Sequence, residues 1–194
     1  MEKFLKSILT QYTFFSIIAS ISNREFEIRK ILISGDFLRT KEINLIAIMS
    51  AFVFIATFIP KIPIPLGYAH LGDAAIFLTI FVCGRKIGIL SGIIGSAFAD
   101  LLSGFPLWIL PTILIKAGMA EIFFKLHKKN IFVGLILASL FMTVGYTIFG
   151  AILYESLAAG ISSTPGLLIK SAVNIFVAVI IISAIKNKNI LNKF

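Results

Sequence analysis

Residues 67–116 read GYAHLGDAAIFLTIFVCGRKIGILSGIIGSAFADLLSGFPLWILPTILIK, three apolar runs that also carry Asp73, Asp100 and Lys116. A charge at the centre of a membrane helix costs roughly 2.5–3.5 kcal/mol on insertion scales. A chain that keeps three of them in apolar surroundings has a use for them. Fold and function are both read from this stretch.

The rest of the chain agrees with a lipid setting. Of its 194 residues, 58% are hydrophobic and 14% charged, against about 45–50% and about 25% in soluble domains. With nineteen phenylalanines and a mean hydropathy of +1.01, the composition is that of one integral membrane domain. A net charge of +9 would raise nucleic acid as a partner for a soluble protein. In a membrane protein Lys and Arg first mark the cytoplasmic side, so no nucleic acid is expected. The single Cys83 excludes an internal disulfide.

Residues 1–42 stand apart. Phe4–Ile21 is apolar and aromatic but interrupted by Lys6 and Gln11, and a span needs about 20 apolar residues. No small-residue cleavage site follows it. With Arg24, Arg29, Lys30, Arg39 and Lys41 behind it, the segment is expected to lie as an amphipathic helix on the inner leaflet, a seventh span being the alternative.

Six spans are expected after it: 43–59, 73–83, 87–102, 107–126, 131–154 and 167–185. Pro60, Pro63 and Pro65 make KIPIPLGYAHL an ordered, non-helical loop between the first two. Gly84-Arg85-Lys86 and LHKKN read as basic turns, and Pro111 as a kink in the fourth span. ESLAAGISSTPG reads as a polar loop, with the last helix starting at Thr164-Pro165. The amino-terminal segment, the 84–86 and 125–130 turns and the tail hold fifteen of the eighteen Lys and Arg, whereas the opposite loops hold Lys61 alone. The fold class expected is therefore all-α, an integral membrane bundle of six transmembrane helices with both termini cytoplasmic. Residues 1–42 are its extension, 43–188 the bundle, 189–194 the tail.

Depth brings the charges together. Asp73 begins the second span and Asp100 ends the third, on the same outer side. Lys116 lies about 15 Å into the fourth span at 1.5 Å per residue, and Lys170 is about one and a half turns into the sixth. Both lysines slant toward their helix N-termini, which is outward. Two carboxylates and two ammonium groups from four spans so converge in a polar cavity open to the outside, Asp100 with Lys116 and Asp73 with Lys170 being the pairs that depth suggests. Structural ion pairing alone is the competing reading. On the third span Gly84, Gly88, Gly92, Ser96 and Asp100 recur every fourth residue, a spacing that lets helices approach closely. Ala47 and Ala51 make a similar face on the first. His70 and His127 fall on opposite sides of the membrane and cannot share a metal. There is no Walker A sequence and no G-x-S-x-G, so neither a nucleotide site nor a nucleophile elbow is encoded, and no cofactor or metal is expected.

The order of the proline-bearing loop, GYAHLGDAAIFL, a basic turn, GIIGSAFADLLSG and PTILIKAG resembles the substrate-binding S-components of energy-coupling factor (ECF) vitamin transporters, in the group related to the riboflavin and hydroxymethylpyrimidine binders. The resemblance covers roughly residues 43–188. It implies a non-enzymatic specificity subunit in the cell membrane that binds a small water-soluble vitamin or precursor near the outer face. It implies as partners a transmembrane coupling subunit and two cytoplasmic ATPases. It further implies that 61–70 is a lid, and that Ala47 and Ala51 match the family's A-x-x-x-A docking face. Where relatives carry amides early in the sixth span, this chain has Leu-Leu-Ile-Lys170, with Asn174 the nearest amide. The expected substrate-binding residues are Tyr68, His70, Asp73, Asp100, Trp108, Lys116, Tyr146, Lys170 and Asn174. Aromatic faces beside a few charges suit a small flat ring, whether pyrimidine, pyridine or flavin. Two alternatives stand beside this reading. One is an intramembrane aspartyl protease using Asp73 and Asp100, although His-Leu-Gly-Asp73 departs from the G-x-G-D sequence of such enzymes. The other is a self-sufficient small-solute facilitator or a structural membrane protein.

Overall fold

The computed structural model describes residues 40–64 and 67–187. The amphipathic helix expected before residue 40 and the tail 189–194 lie outside them. Six helices follow one another: α1 (Thr40–Phe58), α2 (Gly72–Cys83), α3 (Arg85–Leu102), α4 (Ile109–Leu126), α5 (Ile131–Leu153) and α6 (Leu157–Asn187). A hairpin of two short strands, β1 (Ile62–Ile64) and β2 (Gly67–Ala69), joins α1 to α2. From Asn44 onward these elements make one unit.

Four helices, α1, α4 with its leading 3-10 turn, α5 and α6, are long and apolar enough to cross a membrane. α2 has only 12 residues, about 18 Å at 1.5 Å per residue against a hydrocarbon core of about 30 Å. α3 has the length, at 18 residues, but it includes Arg85, Lys86 and Asp100. Large apolar side chains such as Leu107, Leu110 and Phe176 stand two-thirds exposed on the outside of the bundle. Such an outer face is at home in lipid, not water.

α2 is the axis of the bundle. It is apolar almost all round, with eight of its 12 residues buried, as a helix surrounded by others must be. It packs on α3, α4 and α6, and α3–α4, α4–α5 and α5–α6 pack as successive neighbours. α1 joins through α3 and the loop: Ser91 Oγ donates to the Ile46 carbonyl, and the Leu71 N–H to Ala56 O at 3.1 Å. Phe77 and Phe123, with ring centroids 4.8 Å apart, centre an apolar core with Ile80, Met119, Leu135 and Ile182.

The small residues of α3 act as their spacing suggests. A Cβ at Gly88 would sit 2.3 Å from Ile80 Cγ1, and one at Gly95 would sit 2.6 Å from the Ser50 carbonyl oxygen. So Gly88 admits α2 and Gly95 admits α1. Gly84 has another role: its φ of +83° closes α2 and opens α3 at a single residue. The expected three-residue basic turn shrinks to that glycine, and Arg85 and Lys86 are already helical.

Two other expectations change. The described residues of KIPIPLGYAHL are non-helical, as the prolines require, yet they pair as a hairpin with Ile62 opposite Ala69 and Pro63 opposite Tyr68. A two-stranded edge tolerates Pro63, which has no N–H to give. The polar loop before the last helix is only Tyr154–Ser156 long, because α6 begins at Leu157 and carries Pro165 inside it. Ser156 Oγ caps the new start by accepting the Ala159 N–H at 3.3 Å. Ser162 and Ser163 bond carbonyls of their own preceding turn, and Thr164 meets Thr147 of α5 at 3.0 Å. Their hydroxyls are satisfied on the helix, so the stretch is helical despite its polarity.

Gly95→Ala is expected to destabilise the bundle by about 1–3 kcal/mol, because backbone blocks the new methyl. Gly118→Ala should cost less, since only the Phe141 ring stands in its way. Melting in detergent that ranks the two the other way round would overturn this account of α1–α3 packing.

Candidate functional site

α2 begins inside the protein. The first N–H groups of a helix lack intrahelical partners, and Leu71 offers no capping side chain. Other parts of the chain supply the acceptors. His70 Nδ1 takes the Gly72 N–H at 3.0 Å, and Asn174 Oδ1, from α6, takes the Ala74 N–H at 2.8 Å. Asn174 Nδ2 also donates to the carbonyls of His70 and Lys170, each at 2.8 Å. One amide thus ties the start of α2, the end of the hairpin and α6 together. Because His70 Nδ1 accepts, the neutral ring carries its proton on Nε2. Burial, and then the neighbouring Lys170, hold that imidazole well below its ordinary pKa of 6.5.

Asp73 sits in this same first turn, where the helix dipole favours an anion. It is buried with both lysines. Lys116 Nζ pairs with Asp73 Oδ1, and Lys170 Nζ lies 3.3 Å from Oδ2. The depth argument brought the right groups together, and it paired Lys170 with Asp73. Lys116, however, takes Asp73 as its counter-charge, where depth suggested Asp100. The reason is position: α2 is central, so its carboxylate is within reach of α4 and α6 at once.

Asp100 is engaged through hydroxyls. Thr112 Oγ1 donates to Asp100 Oδ2 at 2.5 Å and lies 3.0 Å from Tyr146 OH. A threonine has one proton to give, so Tyr146 OH donates to Thr112 in turn. Both ammonium groups lie over the Tyr146 ring, Lys116 at 5.4 Å and Lys170 at 5.3 Å from its centroid. Trp108 extends the aromatic wall, its ring 5.6 Å from Tyr146 and 6.2 Å from Tyr154, with Nε1 donating to Tyr154 OH at 3.4 Å. Above the cluster, Lys61 at the foot of the hairpin donates to Ser103 Oγ at 2.6 Å.

Of the expected binding residues, His70, Asp73, Asp100, Trp108, Lys116, Tyr146, Lys170 and Asn174 therefore meet at one end of the bundle. Tyr68 is there by its backbone, in β2; its side chain lies outside the description. Ala47 and Ala51 are elsewhere, exposed along α1. Thr112 and Tyr154 were missed. Thr112 had a signal, since it stands one helical turn before Lys116 and so on the same face.

A family model described as "ECF-type riboflavin transporter, S component" matches residues 37–187. An uncharacterized protein in the gap 3′ region of Pyrococcus woesei is 35% identical over 109 residues, which is 53% of this chain and 73% of that one. A solved structure, described as the structure and mechanism of the S component of a bacterial ECF transporter, superposes with a TM-score of 0.65. It is 24% identical and the match covers 77% of this chain and 97% of the other, so it speaks to the fold.

Asp73→Asn should be the most destabilising change in the cluster. It leaves two buried ammonium groups without their carboxylate, at a cost of about 3–5 kcal/mol. Lys170→Met leaves the Asp73–Lys116 pair intact and should cost clearly less. Equal melting temperatures for the two variants would show that Asp73 does not hold the site together.

Proposed function

The chain belongs to the family of ECF-type riboflavin transporter S components, which are membrane-embedded substrate-binding subunits of transporters and not enzymes, and on that premise we propose that it binds a flavin-like vitamin between the Asp73 cluster and the Trp108–Tyr146 wall. One observation carries the proposal. Asp73 has two lysine neighbours where one would neutralise it. The second, Lys170, has around it the Tyr146 ring and Met142 Sδ at 4.0 Å, both weak acceptors. An ammonium has three N–H groups to give, and a ring carbonyl of a ligand suits those that remain. The aromatic wall suits the flat face of the same ligand. The family's name favours a flavin over the pyrimidine and pyridine vitamins that fit the same residues. His70 and Asn174 then serve by positioning, since their bonds go to backbone groups around α2. The protease alternative has no support in this family.

In this reading the hairpin is the lid and the vitamin arrives from outside. Six spans with both termini cytoplasmic agree with the charge distribution, the hairpin completing the crossing that α2 is too short to make. Irregular backbone at membrane depth is tolerated where protein buries it. S components of ECF transporters work with a coupling subunit and ATPases. The exposed Ala47–Ala51 face of α1 is the surface proposed to meet that coupling subunit, small side chains allowing another helix to approach.

Purified protein should quench riboflavin fluorescence saturably. Lys170→Met should weaken that binding about ten- to a hundredfold, the worth of one charge-assisted hydrogen bond. Unchanged affinity in the variant would remove Lys170 from the site, and no flavin binding by folded protein would remove the ligand.

Ala47→Leu together with Ala51→Leu should abolish co-purification with the coupling subunit and leave ligand affinity as it was. Normal assembly of that double variant would place the docking surface elsewhere.

A further inference from the structure

The end of the bundle opposite Asp73 holds a second feature that vitamin binding does not use. A cavity of about 290 Å³ opens between the α4–α5 turn and the last turns of α6. His127, Lys128 and Lys129 line it from the turn, and Lys186 from α6. It lies about 24 Å along α6 from Lys170, at 1.5 Å per residue. We propose that this cavity binds the phosphate of an anionic phospholipid of the adjacent leaflet.

Charge is the first argument. Among the described residues, no acidic one lines the cavity. The acid nearest in sequence, Glu121, is taken by Arg85 at 2.7 Å and Lys125 at 3.2 Å. Among the described residues Lys128, Lys129 and Lys186 form no ion pair. Two of them rest over aromatic rings, Lys128 at 5.8 Å from the Phe124 centroid and Lys186 at 5.9 Å from Phe81. That holds the ammonium groups near the cavity without neutralising them. Three cations around a concave site attract an anion, and each contributes on its own.

The backbone adds to it. The cavity also takes in Ile131 and Phe132, the first turn of the 23-residue α5. N–H groups in a first turn have no carbonyl of their own helix to meet, and the helix dipole is positive there. Asn130 Oδ1 accepts one of them, from Val133 at 3.2 Å. The remainder favour an anion such as phosphate.

The apolar side decides for lipid over a free anion. Phe132 and Val179 belong to the same lining, and Phe132 is 59% exposed with Ile136 one turn further along α5 at 47%. A phosphodiester in the cavity would lay its acyl chains along that face. A soluble phosphate would leave it uncovered.

The test uses the whole protein in nanodiscs of phosphatidylcholine mixed with phosphatidylglycerol, followed by mild detergent extraction and native mass spectrometry. Wild type should keep phosphatidylglycerol in preference to phosphatidylcholine. At about fivefold per lysine, Lys128→Gln, Lys129→Gln and Lys186→Gln together should lower that preference about a hundredfold. The corresponding triple Arg variant should keep it. Lys86→Gln with Lys125→Gln, which removes two nearby cations outside the cavity, should change it little. Equal retention by the triple Gln variant overturns the proposal, and so does an equal loss in the Lys86/Lys125 control, which would make the effect one of general surface charge. Displacement of the lipid by millimolar inorganic phosphate would make the site one for a free anion. Shielding of the three lysines from amine-reactive label by the coupling subunit, with no lipid preference, would make it a protein contact. Either outcome also overturns the lipid assignment. Riboflavin affinity should be the same in every variant, so failure here leaves the vitamin site untouched.

Discussion

The buried carboxylate of Asp73 between two ammonium groups is the constraint from which the arrangement of the helices follows. Neither charge can be left alone in a medium that solvates none of them, because an unpaired buried ion costs several kcal/mol. Lys116 on α4 and Lys170 on α6 must therefore stay within reach of one residue in the first turn of α2. That fixes the rotation and the height of three helices against one another. Apolar packing in lipid could not do this by itself, since hydrocarbon chains are as good a neighbour as leucine.

The same corner of the fold solves a second problem. A helix of 12 residues that starts inside a bundle exposes unsatisfied N–H groups where there is little water. Asn174 and His70 accept two of them, and Asp73 places a negative charge at the positive end of the dipole. Three polar residues, spread over about a hundred positions of sequence, thus make one cap. The apolar core then gathers toward the other end, where Phe77, Phe123 and Ile80 need no such help. The division of the bundle into a polar and an apolar half comes from where α2 begins.

Much of this was legible in the sequence, and what was not has identifiable physical causes. Apolar runs and proline breaks gave the helices, and the four-residue spacing on α3 gave its close contacts, because both depend on local period. The charge cluster was legible because charge in an apolar run is rare. Its pairing was legible for Asp73 with Lys170 but not for Lys116: depth along a helix is a one-dimensional coordinate, and which helix stands in the centre is a fact of packing. Thr112 was missed for the opposite reason, a hydroxyl being unremarkable in any helix until a carboxylate is placed 2.5 Å away. The start of α6 was misread because serines and a glycine suggest a loop, while Ser162 and Ser163 bond back to their own helix. Pro165 reads in sequence as a helix start, yet it lies inside α6, just after Thr164, which bonds Thr147 of α5 at 3.0 Å.

On the proposed function, a structural and a functional reading of the buried charges need not compete. Asp73 with Lys116 is a complete pair, enough to satisfy both. Adding Lys170 leaves an excess of positive charge on one side of the Tyr146 ring, while Asp100 is joined to the hydroxyl of the same ring through Thr112. Donors and an acceptor chain therefore flank a single aromatic surface. The bundle sets two ammonium groups on the Asp73 carboxylate and joins Asp100 to the Tyr146 hydroxyl through Thr112. On the proposed function, a polar, flat ligand lying on that ring meets the Lys170 ammonium and a hydroxyl relay to Asp100. On that reading Asp73 holds the Lys170 ammonium in place, so the site is built before the ligand arrives.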